Sequence, residues 1–333
     1  MIDLNVRLDS SLSEEEYGYL ARSQGINVKE TFPECRVFNF KTGTVKDYEA
    51  IREFALGLLQ TEDAITFAFA SLIHRLFNDG YYYLEIGLTP YLHQKNKLTQ
   101  RKILKAALIG LNDALAKCPG MEANIVLYCH RQASDEFNLE TTKLALEFRD
   151  ERVVAVGLEG DDKEHPIGQY EQLFARCKKV NYPVVIALGS HYCSSNSILK
   201  AAQIGAMRII SPYRLELNTE TFRILLERGV HFEFNPTMDI VYKKWPDLES
   251  FPLKGLWMRG IQAYVAGCSY SILDASLRKE FIHLGQHNNF SREDVNHSLY
   301  ISLNAAFFRN IREKNRVMKK VIADFDHFYN STI

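Results

Sequence analysis

The chain has 333 residues, 46% of them hydrophobic and 24% charged, and a formal net charge of −1. That length and apolar content can form the core of one large α/β barrel or of two ordinary domains. The near-zero charge offers no field for nucleic acid or an anionic membrane. No stretch reaches the roughly 18 continuous apolar residues of a membrane helix, so neither partner is expected.

The first apolar run, Asp3 to Leu8, reads as a short strand with polar side chains at its carboxyl end. About 70 residues then precede the second strand, Tyr82 to Leu88, and they carry helical patterns such as TEDAITFAFASLIHRLFNDG rather than disorder. Next comes TQRKILKAALIGLNDALAKCPG, with Leu104, Leu108, Leu111 and Leu115 on one face, Thr99 as cap and Pro-Gly as terminator. Strands three to five, Asn124 to Cys129, Val153 to Leu158 and Val184 to Leu188, are the continuous apolar runs of strands buried on both faces. The sixth, Arg208 to Ile210, is followed by LNTETFRILLERG, which is capped by Asn and Thr and stopped at Gly229. His231 to Phe234 and Gln262 to Val265 complete the set of strands. SREDVNHSLYISLNAAFF then opens with Ser291 as N-cap and Asp294 at N3, and helical pattern continues to Phe328. These alternating units predict an α/β fold, a (β/α)8 TIM barrel in one domain over 1–333. It has a helical insertion over 9–80 after strand 1 and extra C-terminal helices over 275–330.

Six cysteines are scattered without a CxxC or a compact framework, and Asp3, Arg7 and Asp9 occupy the start where a signal peptide needs an apolar run. A reduced, cytoplasmic protein is expected. Self-association stays open.

A barrel of this type carries its site at the carboxyl ends of its strands. That rule nominates Asn5, Arg7 and Asp9, then Glu85 and Thr89, His130 and Arg131, and Gly160, Asp161 and Asp162. It continues with Gly189, Ser190 and His191, then Ser211, Asn235, Cys268 and Ser269. No two histidines share a strand end, so the grouping of a catalytic zinc is not visible.

The segments YLEIGLTPYLH and VVAVGLEGDDKEHP, and the tract from LNTETFRILLERG to GIQAYVAG, resemble the adenosine deaminase family, and the likeness covers most of the chain. The resemblance implies a (β/α)8 barrel with helices inserted after the first strand. It also implies roles by position. Asn5 and Arg7 stand where the family has its HxH metal motif, and Ala187 to Ser190 stand at its HAGE. Ser211 takes the place of the histidine that helps activate water, and Cys268 and Ser269 the place of its paired aspartates. Asp9 matches the aspartate that contacts the sugar hydroxyl, Gly160 the glycine whose backbone approaches the purine, and Asp161-Asp162 continue that motif. A simpler reading of Gly160 and the two aspartates, a turn and a helix cap, stays open.

Hydrolytic deamination at neutral pH uses a metal to lower the pKa of water from roughly 15.7 to about 7, and a carboxylate to move protons. With each of those positions substituted, zinc is not expected, nor any other cofactor. The expected role is a pseudoenzyme that binds a small molecule or a partner. Its ligand would be a purine nucleoside or an anion held by Arg7, Asp9, Gly160 and Asp161. Two alternatives stay open: metal-independent acid/base or covalent chemistry by Asp9, Asp161, Asp162, His191 or Cys268, and a structural or oligomerising role. An active deaminase ranks last. Arg7 is either an anion anchor or a plug paired with Asp9, Glu85 or Asp161.

Overall fold

The structure, a computed structural model, describes residues 1–27, 43–188, 194–212 and 219–323. Eight parallel strands pair in sequence order and curl into a barrel. They are β1 (Ile2–Arg7), β2 (Tyr83–Leu88), β3 (Glu122–His130), β4 (Val153–Glu159), β5 (Val184–Ala187), β6 (Ala206–Ile210), β7 (His231–Phe234) and β8 (Ala263–Val265). Each strand expected from the sequence is present, with its ends moved by a residue or two at most. β8 and β1 are tied by the Arg7 N–H donating to the Cys268 carbonyl at 3.3 Å. The Asp3 carboxyl reinforces that seam by accepting from the Gly267 N–H at 2.9 Å and from the Tyr270 hydroxyl.

Among the described residues, three helices, α1 (Glu14–Ser23), α2 (Val45–Leu58) and α3 (Glu62–Asn78), lie between β1 and β2. The crossovers from β2 to β7 are α4 (Gln100–Leu115), α5 (Asp135–Glu147), α6 (Glu171–Lys179), α7 (Ser195–Ile204) and α8 (Thr219–Glu227). Between β7 and β8 lie α9 (Pro236–Val241) and α10 (Leu253–Met258), and α11 (Leu277–His287), α12 (Arg292–Ala305) and α13 (Ile311–Ala323) follow β8. Among the described residues no helix is long and apolar enough to cross a membrane.

Local chemistry sets these boundaries. The Thr99 side chain caps α4 by accepting from the Lys102 N–H at 3.3 Å, and Leu104, Leu108 and Leu111 bury its apolar face. α4 ends at Leu115, short of the expected Pro-Gly stop, because Pro119 has no N–H to reach the Leu115 carbonyl, which accepts from the Cys118 N–H at 3.2 Å instead. There Met121 closes a turn onto the Cys118 carbonyl, with Gly120 at φ +81°. The predicted capping box of α12 is formed, with Ser291 and Asp294 each accepting the other's backbone N–H at 3.2 and 2.8 Å. Asn218 and Phe328 lie outside the described residues.

The barrel interior is layered by polarity. Near its amino-terminal end, a fully buried Arg208 lies 2.6 Å from Glu85 and 3.6 Å from Glu233, and its guanidinium stacks over Phe307. Burial pushes both carboxyls up, and the single guanidinium opposes that rise, more closely at Glu85. Above this layer Tyr128 fills the interior beside Gly157, its partner in the β3–β4 register. A Cβ on Gly157 would lie 2.3 Å from the Tyr128 ring, so only glycine fits there. In the insertion, Tyr48 and Ile51 of α2 pack on Ile272, Leu273 and Ala275 after β8, which carries α2 across the carboxyl end of the barrel.

Candidate active site

At that end the strands surround a cavity of about 490 Å³. Asn5, Arg7, Asp9, His130, Gly160, Asp161, Ala187, Ser211, Asn235 and Cys268 all line it, so most of the strand-end nominations converge on one place. Asp162 and Ser269 are buried but do not line it. The Ser269 hydroxyl serves a turn, donating to the Ser10 carbonyl at 3.3 Å and accepting from the Leu273 N–H at 3.2 Å. Ser190 and His191 lie outside the described residues.

Ion pairs organise the lining. Arg7 pairs with Glu159 at the end of β4, and Thr89 donates its hydroxyl to the same carboxylate. Asp9 is held by Arg52 of α2, whose Nε donates to Oδ2 at 2.6 Å. Lys244, after α9, lies 3.2 Å from Asp239 and donates to the Ser211 carbonyl at 3.2 Å. Gly160 sits at φ +104°, and a Cβ there would meet Arg131 and His130 at 3.3 Å, so the residue suits both the turn and a close backbone approach. Arg131 fastens the rim by donating to the Gly160 carbonyl at 3.2 Å and the Ala187 carbonyl at 2.8 Å.

These surroundings fix protonation. Burial alone would raise the Asp9 carboxyl, but Arg52, then Arg7 and His93, outweigh it and hold the group below the ordinary carboxylate range. The Cys268 thiol is pushed up to about 12 by burial, which the nearby Arg7 only partly offsets, so burial holds it in the protonated form at neutral pH. His130 is lowered to about 4 by burial and by the cations Arg52 and Arg7. It is therefore neutral, with its proton on Nε2, because Nδ1 accepts from the Gln132 N–H at 3.3 Å. Its ring stacks on Tyr91 at 4.8 Å.

Sequence reasoning passed over Glu159, Arg52 and Lys244, as well as Tyr48, Met238 and Tyr242, which also line the cavity. Glu159 could have been found, because it is the last residue of its strand. The others come from helices and loops, where no strand period says which side chain faces the mouth.

The adenosine deaminase family profile matches residues 2–324. An adenosine deaminase of Haemophilus ducreyi is 28% identical over 94% of this chain and 93% of its own. Among solved structures, an adenine deaminase of Arthrobacter aurescens superposes with a TM-score of 0.81 at 17% identity, covering 97% of this chain and 98% of that one. An amidohydrolase of Burkhoderia ambifaria with bound zinc gives 0.87 at 13% identity, covering 99% and 92%.

These likenesses correct two expectations. The reading as a pseudoenzyme without deaminase chemistry, together with its alternatives, gives way, because the adenosine deaminase profile spans residues 2–324 and the named adenosine deaminase matches along 94% of this chain. The reading that excluded zinc also gives way, because the adenosine deaminase profile runs over residues 2–324 and a neighbour of the same fold was solved with bound zinc. Both expectations gave the substituted strand ends more weight than a likeness that runs along nearly the whole chain. The described residues nevertheless do not fit a zinc cage. The carboxyl ends of β1, β6 and β8 present an amide, a guanidinium, a hydroxyl and a protonated thiol. The Asn5 Oδ1 is buried without a hydrogen-bond partner, and no cluster of three His, Cys, Asp or Glu side chains is suited to a metal among the described residues.

Proposed function

The chain belongs to the adenosine deaminase family, and from that premise we propose that it deaminates an amino-substituted purine held in the cavity at the barrel mouth. Water supplies an oxygen to the ring carbon, the carbon–nitrogen bond breaks and ammonia leaves. The observation that carries this reading is the place and size of the cavity: about 490 Å³, at the strand ends where such barrels hold their substrates, and large enough for a nucleoside.

The lining suggests how a purine would be held. Asp9, kept ionised and oriented by Arg52, accepts a hydroxyl of the sugar. The turn at Gly160 admits the flat base, and the neutral His130, braced by Tyr91, offers its Nε2–H at the rim. Residues 1–333 act as one barrel domain in this proposal, with 9–80 and 275–330 as additions to it. A reducing compartment suits the four buried free thiols among the described residues.

The test offers adenine, adenosine, adenosine monophosphate, guanine and guanosine to the purified full-length chain, with and without added zinc, and measures ammonia. Release above the buffer rate from at least one purine is expected. None from any of them, with the protein shown to be folded, contradicts the proposal.

A further inference from the structure

We infer that the Arg7–Glu159 pair reads the base, and that the base it selects is a 2-amino-6-oxopurine; this rests on the deaminase reading above. The pair is fixed by four strands. Arg7 ends β1, Glu159 ends β4, and the guanidinium lies 4.8 Å over the Tyr128 ring of β3. On β2, Gly87 makes room for it, since a Cβ there would lie 3.0 Å from Arg7 Nη1 and 3.2 Å from Tyr128. Gly157 clears the far side of the same ring. The Thr89 hydroxyl steadies the Glu159 carboxylate. Both side chains keep an open edge on the cavity, 16% exposed for Arg7 and 10% for Glu159.

A fixed guanidinium beside a fixed carboxylate presents a row of donors next to a row of acceptors. Its complement has two acceptors beside two donors, which a 2-amino-6-oxopurine supplies on adjoining edges, N7 and O6 on one and N1–H and the 2-amino group on the next. Arginine pairs with that O6/N7 edge through two N–H groups, and a carboxylate accepts from the neighbouring N–H groups. A 6-aminopurine keeps N7, but it faces an amine to the guanidinium in place of O6 and a bare N1 to the carboxylate. The mismatch leaves buried groups unpaired, which is how polar sites reject near-isosteres. In the reaction that follows, water adds its oxygen at C2, the C2–N bond breaks, and the products are a 2,6-dioxopurine and ammonia.

The experiment measures dissociation constants of guanosine, inosine and adenosine by calorimetry on the full-length chain, then repeats them on Glu159→Gln and Arg7→Met. Guanosine is expected to bind about 100-fold tighter than adenosine, with inosine between them. Glu159→Gln should weaken guanosine about 10-fold or more while leaving inosine less affected, because inosine lacks the 2-amino donor. Equal or tighter binding of adenosine by the unmodified chain overturns the inference even if the variants fail to fold. So does an unchanged guanosine affinity in a folded Glu159→Gln. Ammonia from adenosine but not from guanosine sinks this inference and leaves the deaminase reading standing, whereas no ammonia from any purine sinks the reading itself.

Discussion

Cys268 shows how surroundings decide the role of a single residue. It lines the cavity, yet burial keeps its thiol protonated, with a pKa near 12. Cys268→Ser should therefore retain activity within about two-fold, and alkylating reagents should not inactivate the folded protein faster than they do the variant. Loss of activity of 100-fold in the serine variant would show that the thiol reacts. At this scale the strand rule was informative but not sufficient. Asn5, Arg7, Asp9, Gly160 and Asp161 all reach one cavity, whereas Glu85, Asp162 and Ser269, nominated by the same rule, do not line it. For partners the sequence offered Arg7 only Asp9, Glu85 or Asp161, and it offered Asp9 no helix residue. Arg7 meets Glu159, and Asp9 meets Arg52 from a helix about forty residues away, a pairing that depends on how α2 lies across the mouth.

Among the elements, the strands were legible because apolar runs bounded by turn residues leave little freedom in placing them. The insertion was legible as helices through its apolar helical pattern, but not as a cover over the mouth. That role comes from Tyr48 and Ile51 finding an apolar patch after β8, a contact between distant parts of the chain. The fit between neighbouring strands was hidden as well. Gly157 looks like any strand glycine, yet its missing side chain is what lets Tyr128 stand upright under Arg7. Gly157→Ala should cost about 1–3 kcal/mol in chemical denaturation, as overpacked cores do. It should also weaken ligand binding by displacing the Tyr128–Arg7 stack. An unchanged midpoint would mean that the ring moves aside freely.

For the molecule as a whole, two carboxyls buried outside the cavity lining tie stability to pH. Asp3, at the β1–β8 seam, is raised to about 7 by burial, against the opposing pull of its hydrogen bond from Tyr270. Glu280 of α11 is raised to about 8 by burial, although Thr237 donates to it through both its N–H and its hydroxyl. In the unfolded chain both groups lose their protons at ordinary carboxyl values, so between those values and the raised ones the folded state binds more protons. The stability that this supplies is fully present at acid pH and is lost as pH rises through about 7 and 8. Unfolding free energy should fall by up to about 1.4 kcal/mol per pH unit for each group across that window, and Glu280→Gln should flatten its share of the slope. Urea titrations at several pH values would show this, and a flat profile for the unmodified protein would refute it.

Water that replaces a purine amine at the mouth of this barrel leaves its mark when the reaction is run in heavy-oxygen water and the purine product is weighed. One heavy oxygen is expected on the ring carbon that lost nitrogen, with one ammonia released per product. A purine recovered unchanged in mass after prolonged incubation with folded protein, or an oxygen that does not come from water, would contradict that replacement.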